Sequence, residues 1–318
     1  MIAAAVDRFG PPSALTVHEL PVPKPGPHEV VIAIDTAGVG RWDAHIRVGS
    51  WRKPGRARFP LVPGVDGAGV VVAKGARVRR LRLGDRVYAY EFGNRQGGFY
   101  AEFAAADANH VGRVPKDVVL REAGAAATTG LTALQGIDAL RLRRRETILV
   151  FGASGAVGTI AVQLAEHRGA RVIATASGAA ARRMVQQLGA DRVLDARGNA
   201  AAEQLRKLAP EGLDGVLAFA GGEELERCLD FIRPRGRVVH PNGVEPAPEP
   251  RRTFGVRSYD AIASPQAFAR LHRLVARHGL RVPIAAAYPL RQAARAHRRL
   301  DRGQVVGRIV LKVGRGGD

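Results

Sequence analysis

The stretch ETILVFGASGAVGTIAVQLA, residues 146–165, constrains the fold more than any other part of the chain. An apolar run stops at a glycine-rich turn and resumes as an apolar segment of helical length. Within Ala153-Ser154-Gly155-Ala156-Val157-Gly158 the GxGxxG pattern keeps two of its three glycines. Alanine stands in the first slot, and Gly152 lies just ahead. Gly155 lets the backbone approach a pyrophosphate, whose charge sits on the helix N-terminus, and Gly158 lets helix and strand pack closely. A plain tight turn in an α/β sheet is the competing reading. The flanking strand and helix favour a dinucleotide site at Gly152, Ala153, Ser154, Gly155, Ala156 and Val157.

The downstream texture agrees. Strand-like RVIATAS, DRVLDA, DGVLAFA and GRVVH alternate with helical AAARRMVQQLG, AAEQLRKLA and EELERCLDFI. Such alternation predicts a parallel sheet with helices on both faces. The turns after two of these strands hold Ala220 with Gly221 and Asn242 with Gly243, at carboxyl ends where such a sheet places its ligand. The first 120 residues instead carry short β-branched runs, EVVIAIDTAG, GAGVVVAKG and GDRVYAY, broken by Gly and Pro. They predict an antiparallel, barrel-like β domain. LREAGAAATTGLTALQGIDAL (120–140) reads as a helix, and the last 55 or so residues as two helices and a closing strand, GRIVLKV.

The identity of the dinucleotide is also legible. A site for NAD carries an acid about 20 residues on, at the end of the second strand. No acid stands between Glu166 and Asp191; Thr175, Ser177 and Arg182, followed by Arg183, occupy that region. Hydroxyls and a guanidinium suit a 2′-phosphate, which a carboxylate repels, so NADPH is expected. Solvated helix arginines are the competing reading of Arg182 and Arg183.

Composition limits the remaining choices. One cysteine, Cys228, excludes an intramolecular disulfide and a multi-cysteine zinc site. No apolar run reaches membrane-spanning length, and the N-terminus lacks a basic region ahead of an apolar core, so a cytoplasmic location is expected. The net charge of +20 raises nucleic-acid binding as an alternative. The arginines are scattered, however, and RVRRLRLGDR and RLRRR lack interleaved aromatics, which favours a solvated Arg-rich surface. Asp43 and His45, two residues apart in AGVGRWDAHIRVG, are either half a metal site or the floor of a metal-free one.

Several blocks in order carry a family resemblance: AGVGRWDAHIRVG, PLVPGVDGAGVVVAKGARV, LGDRVYAY, GGFYAEFAA, AAATTGLTALQGI, GASGAVG, LGADRVLD and GRIVLKV. Together they make the chain similar over nearly its whole length to the zinc-free, quinone oxidoreductase-like group of the medium-chain dehydrogenase/reductases. The resemblance implies a GroES-like β-barrel catalytic domain over residues 1–119, a Rossmann domain over 120–262 and a return to the catalytic domain over 263–318. Zinc-dependent relatives carry a cysteine where this chain has Gly40 and a His-Glu pair where it has Val65 and Asp66. Their third ligand falls in GAAATTG, which offers neither Cys nor His. No metal is therefore expected.

What the resemblance implies is hydride transfer from NADPH to a quinone or an α,β-unsaturated carbonyl. An enoyl-thioester reductase is the alternative enzyme, and a non-catalytic NADPH- or RNA-binding protein the alternative of another class. Arg41 and Trp42 are expected along the cofactor, with Thr129 facing its nicotinamide end. His45 is the expected proton donor, Trp51 the expected stacking residue, and Asp43 a group that orients its neighbours. Tyr88, Tyr90 and Tyr100 are alternative donors, more naturally core or rim residues. Cys228 reads as a buried helix position. The family's usual lysine and tyrosine near the adenosine are Ala181 and Ala196 here. A homodimer through the edge of the Rossmann sheet near GRVVHPNG is implied.

Overall fold

In the computed structural model, residues 1–50, 58–94, 96–195 and 200–314 are described. The β-branched runs of the first third form strands β1 (Ile2–Val6), β2 (Leu15–Glu19) and β3 (Glu29–Val39), then, after helix α1 (Arg41–Val48), strands β4 (Asp66–Lys74), β5 (Arg86–Tyr90), β6 (Phe103–Asp107) and β7 (Val111–Arg113). Helix α2 (Leu120–Leu140) precedes the alternating region: β8 (Thr147–Phe151), α3 (Ala156–His167), β9 (Arg171–Thr175), α4 (Ala179–Gln187), β10 (Arg192–Leu194), α5 (Ala200–Leu208), β11 (Leu213–Ala218), α6 (Glu223–Leu229), β12 (Ile232–Pro241) and β13 (Gly255–Tyr259). The chain closes with α7 (Pro265–His278), β14 (Ile284–Pro289), α8 (Ala293–Asp301) and β15 (Arg308–Lys312).

Two compact units result. One contains Met1–Thr128, Ile262–Arg277 and Ile284–Asp318; the other contains Thr129–Ala261 and His278–Pro283. In the first, a seven-stranded sheet runs β14-β15-β3-β4-β5-β7, with β6 also paired to β3. All its pairings are antiparallel except β14 with β15. Its core gathers Ala3 to Val6, Val30, Ile32, Val71, Val87 and Phe99, with Ala293 and Ala296 of α8. On β3 Val30 and Ile32 are two apart and share a face, whereas Ala3 to Val6 are buried on both faces of β1, where small alanines let neighbouring elements approach closely.

The second unit holds a parallel six-stranded sheet in the order β10-β9-β8-β11-β12-β13. Counted from β8 this is 3-2-1-4-5-6, the doubly wound order, with its switch point between β8 and β11. Leu149, Ile173, Val216 and Val238 of the strands pack with Leu205 of α5 and Leu225 and Leu229 of α6. Cys228 is fully buried on α6, and burial pushes its thiol up to about 12. The α/β fold with a GroES-like and a Rossmann part is thus borne out.

Three details differ from the sequence reading. Strand β12 starts at Ile232, ahead of GRVVH, and the segment Gly255–Tyr259 is a strand that its composition did not signal. Because β13 pairs outside β12, the sheet edge lies there and not at GRVVHPNG. The Ala-rich, Pro-bounded IAAAYP also becomes a strand, because β15 offers it a parallel partner.

Candidate active site

The glycine-rich turn of the second unit is built for close approach. Gly152 has φ of +79°, where a side chain strains the backbone. Its N–H donates to Thr175 Oγ1 at 2.9 Å, and the Ala153 N–H donates to the Thr175 carbonyl at 3.1 Å. Thr175 is buried, so it supports the turn from the neighbouring strand. A Cβ at Gly158 would collide with the Gly152 carbonyl and lie 2.6 Å from Ala153 Cα, so only glycine lets α3 seat this closely. Gly155 precedes α3 with no side-chain cap, and a Cβ there would meet nothing nearer than 3.5 Å. An open glycine in front of uncapped helix amides is the cradle an anion needs.

Around this turn the other expected residues of the unit take different places. Ala220 lies beside Gly152 across the switch point, 3.4 Å from where a Cβ at Gly152 would sit. A Cβ at Gly221 would collide with the Pro246 carbonyl, which explains that glycine by packing. Asn242 donates through Nδ2 to Asp260 at 2.7 Å, and Gly243 turns the chain with φ of +86°. Ser154, Ala156 and Val157 are half-buried in the turn, Ser177 and Arg183 are exposed, and Arg182 is half-buried at the start of α4. Ala181 is buried, and Thr129 is buried on α2. The parts that would hold a dinucleotide fit that group.

In the first unit, α1 carries the expected chemistry on a buried polar frame. Asp43 is fully buried; its Oδ2 accepts the Gly40 N–H at 2.7 Å and its Oδ1 the Val65 N–H at 3.0 Å. It therefore caps α1 and ties it to the approach of β4, which makes it a positioning residue. Burial raises its carboxyl to about 7, against the opposing pull of Arg308. Further along the helix, Arg47 Nη1 bonds His297 Nδ1 at 2.8 Å, and Nη2 bonds Asp301 at 2.8 Å. A guanidinium can only donate, so Nδ1 must accept and the His297 proton resides on Nε2. Nε2 then donates to Tyr100 Oη, 3.1 Å away, and the phenol stands beside Asp43. Burial, reinforced by Arg47, lowers His297 to about 3, so it is neutral. Tyr100 is fully buried in this chain of donors, which corrects its place among the alternative proton donors.

Beside Gly40 and at Asp66, where zinc-dependent relatives carry ligands, stands an ion pair. Arg308 Nη2 meets Asp66 Oδ1 at 2.7 Å, with side chains 7% and 0% exposed. Asp66 Oδ2 accepts the Thr128 N–H at 3.0 Å. A Cβ at Gly40 would lie 2.7 Å from Arg308 Nη1, and one at Gly38 would collide with Nη2. The glycines thus make room for a guanidinium, whose charge opposes a dication and already satisfies Asp66. Among the described residues no three His, Cys, Asp or Glu side chains cluster as a metal site. These residues do not fit zinc.

His45 is half-buried on α1, with Nδ1 bonded to Ser50 Oγ at 2.8 Å and the Trp42 ring centroid 5.6 Å away. Trp42 packs edge-to-face on Phe92 at 5.1 Å, and Arg41 is exposed. Trp51 and Ala196 lie outside the described residues. Tyr88 is buried against Phe268, with its phenol raised by burial, and is a core residue. Sequence reading missed Arg47, His297 and Arg308. Their partners lie roughly 250 positions away, and no local spacing announces such pairs.

Comparison with known proteins closes the question of family. The pattern of the alcohol dehydrogenase GroES-like domain matches residues 26–116, and that described as zinc-binding dehydrogenase matches residues 188–311. A quinone oxidoreductase of Lama guanicoe is 31% identical, over 98% of this chain and 97% of that protein. Among solved structures, an NAD-dependent alcohol dehydrogenase superposes with a TM-score of 0.91 at 30% identity, covering 99% of this chain and 100% of the other. A mycobacterial protein solved with NADPH has a TM-score of 0.87 at 29% identity, covering 98% and 100%. The chain is an oxidoreductase belonging to the medium-chain dehydrogenase/reductase family, in its quinone oxidoreductase-like group.

Proposed function

We propose that this protein is a zinc-independent, NADPH-dependent reductase of quinones or α,β-unsaturated carbonyls. The observation that carries the reading is the Arg308–Asp66 pair, filling the space beside Gly40 where a zinc enzyme needs ligands. Without a Lewis acid to polarise a hydroxyl, alcohol oxidation is poorly served, whereas an electrophilic acceptor needs only orientation and a proton. When bound, NADPH supplies the hydride.

The chain's own residues divide the remaining tasks. The amides at Ser154 to Val157 take the pyrophosphate, and Ser177 with Arg182 takes the 2′-phosphate. Thr129, Ala220, Gly221, Asn242 and Gly243 line the cofactor, as do Arg41 and Trp42. His45 holds the proton that neutralises the developing oxyanion. Asp43, capping α1 from within, holds His45 in place. The mycobacterial neighbour solved with NADPH and the absence of an acid after β9 support the choice of cofactor, although another neighbour uses NAD.

The test is NADPH and NADH oxidation with para-benzoquinone, phenanthrenequinone, a long-chain enal and crotonyl-CoA. Turnover of a quinone or enal, faster with NADPH, is the expected result, and His45→Phe lowers kcat about a hundredfold. Preference for crotonyl-CoA would move the assignment to an enoyl-thioester reductase. No turnover of any acceptor, with salt-sensitive RNA binding instead, would overturn it.

A further inference from the structure

Within the barrel unit lies a cavity of about 750 Å³ whose lining includes none of the residues assigned to the proposed chemistry. Its charged lining is Arg86, Arg121, Arg291 and Lys312 against Asp35 and Glu102. Four cations face two carboxylates, an excess of two positive charges. The carboxylates do not cancel them by contact. Glu102 accepts the Ile2 N–H at 2.8 Å and Asp35 accepts the Thr36 hydroxyl at 2.7 Å. Arg121, Arg291 and Lys312 are exposed and make no ion pair among the described residues.

Two features make this more than scattered surface charge. Arg86 donates to the carbonyls of Lys116 at 3.1 Å and Val118 at 2.6 Å, so its guanidinium is fixed at the cavity wall before any ligand arrives. Those carbonyls lead into the first turn of the 21-residue α2, whose Leu120 and Arg121 line the same cavity. The positive end of that helix adds to the field of the four cations. Meanwhile Val119 and Leu290 give the wall an apolar part. A fixed cation, a helix start and three exposed cations around a concave space of small-molecule size form an anion site with room for more than an inorganic ion.

We infer that this cavity binds a phosphate-bearing small molecule of nucleotide size, separately from the dinucleotide turn. The terminal phosphates meet Arg121, Arg291 and Lys312, and the organic body lies on the apolar wall. Asp35 and Glu102 select against ligands without a hydroxyl or amine to offer them, since each carboxylate can accept further hydrogen bonds.

Calorimetric titration of the full chain with ADP, inorganic pyrophosphate and adenosine tests this, each repeated in excess NADP⁺ because ADP also resembles half of that cofactor. ADP and pyrophosphate are expected to bind in the presence of NADP⁺, and adenosine much more weakly. Arg291→Glu with Lys312→Glu should weaken both anions about tenfold or more, while Arg291→Lys with Lys312→Arg retains them. These are exposed positions, and an unchanged unfolding temperature checks that the fold is intact. No anion binding, complete displacement of ADP by NADP⁺, or indifference to the charge reversal would overturn the inference. So would pyrophosphate binding without ADP binding. NADP⁺ affinity is read in the same series, so failure of the cofactor assignment is recognised independently.

Discussion

Asp43 and His297 are buried groups whose protonation equilibria oppose one another. With its carboxyl raised to about 7, Asp43 favours the folded state most strongly when protonated. Its contribution is complete below the ordinary carboxylate range, about pH 4, and is lost as pH rises through 7. His297 is lowered to about 3, so the unfolded chain takes up its proton first. Its contribution is present above about pH 6.5 and is lost as pH falls towards 3. The two slopes offset each other over the shared window. His297→Gln, which can still accept from Arg47 and donate to Tyr100, should leave unfolding free energy falling more steeply than wild type from pH 4 to 7. Asp43→Asn should shift the slope the other way, and urea unfolding at a series of pH values reads both. Arg308 gives a sharper prediction. Removing it leaves Asp66 buried and unpaired, so Arg308→Leu should cost about 3–5 kcal/mol, with partial recovery on adding Asp66→Asn.

At the scale of elements, α3 and α1 are seated by opposite means. Helix α3 is brought against β8 by the lack of a side chain at Gly158. Gly158→Ala must push the helix off the turn, with a predicted cost of about 1–3 kcal/mol and weaker NADP⁺ binding, read by thermal unfolding and fluorescence titration. Helix α1 is instead held by polar anchors at both ends: Asp43 at Gly40 and Val65, and Arg47 at α8 and the Gly10 carbonyl. The glycine turn was legible in the sequence because strand, turn and helix are contiguous there. The α1 frame was not, because Arg47, Tyr100 and His297 belong to three separate segments. Strand β14 escaped notice for the same reason, its pairing with β15 outweighing its alanine-rich composition.

For the molecule as a whole, the excess of 49 basic over 29 acidic residues has a structural counterpart. Many arginines donate to main-chain carbonyls: Arg80 to Ala108 and Val111, Arg86 to Val118, Arg299 to Gly303. Five donors in a rigid planar fork let a guanidinium serve several carbonyls at once in a preset geometry. The Rossmann sheet leaves β13 as an edge strand with Gly255, Arg257 and Ser258 exposed, and an unpaired edge invites a second strand. A homodimer through β13 is predicted. Sedimentation should give the mass of two chains, and Arg257→Asp with Ser258→Asp should shift it towards one, by placing like charges across the pairing.

Local order in the chain sufficed for the turn at Gly152 to Gly158, the alternating strands and helices and the barrel-like β region. Each depends on residues within one or two turns of one another. The family resemblance, in turn, set Gly40 and Val65 where zinc-dependent relatives carry ligands. What stands in that place, a guanidinium from the last strand paired with Asp66, was decided only by tertiary structure. So were the tautomer of His297, the burial of Asp43 and the cationic cavity at the start of α2. Electrostatic partners are chosen by proximity in space, and folding brings together charges that the chain keeps as much as 254 positions apart.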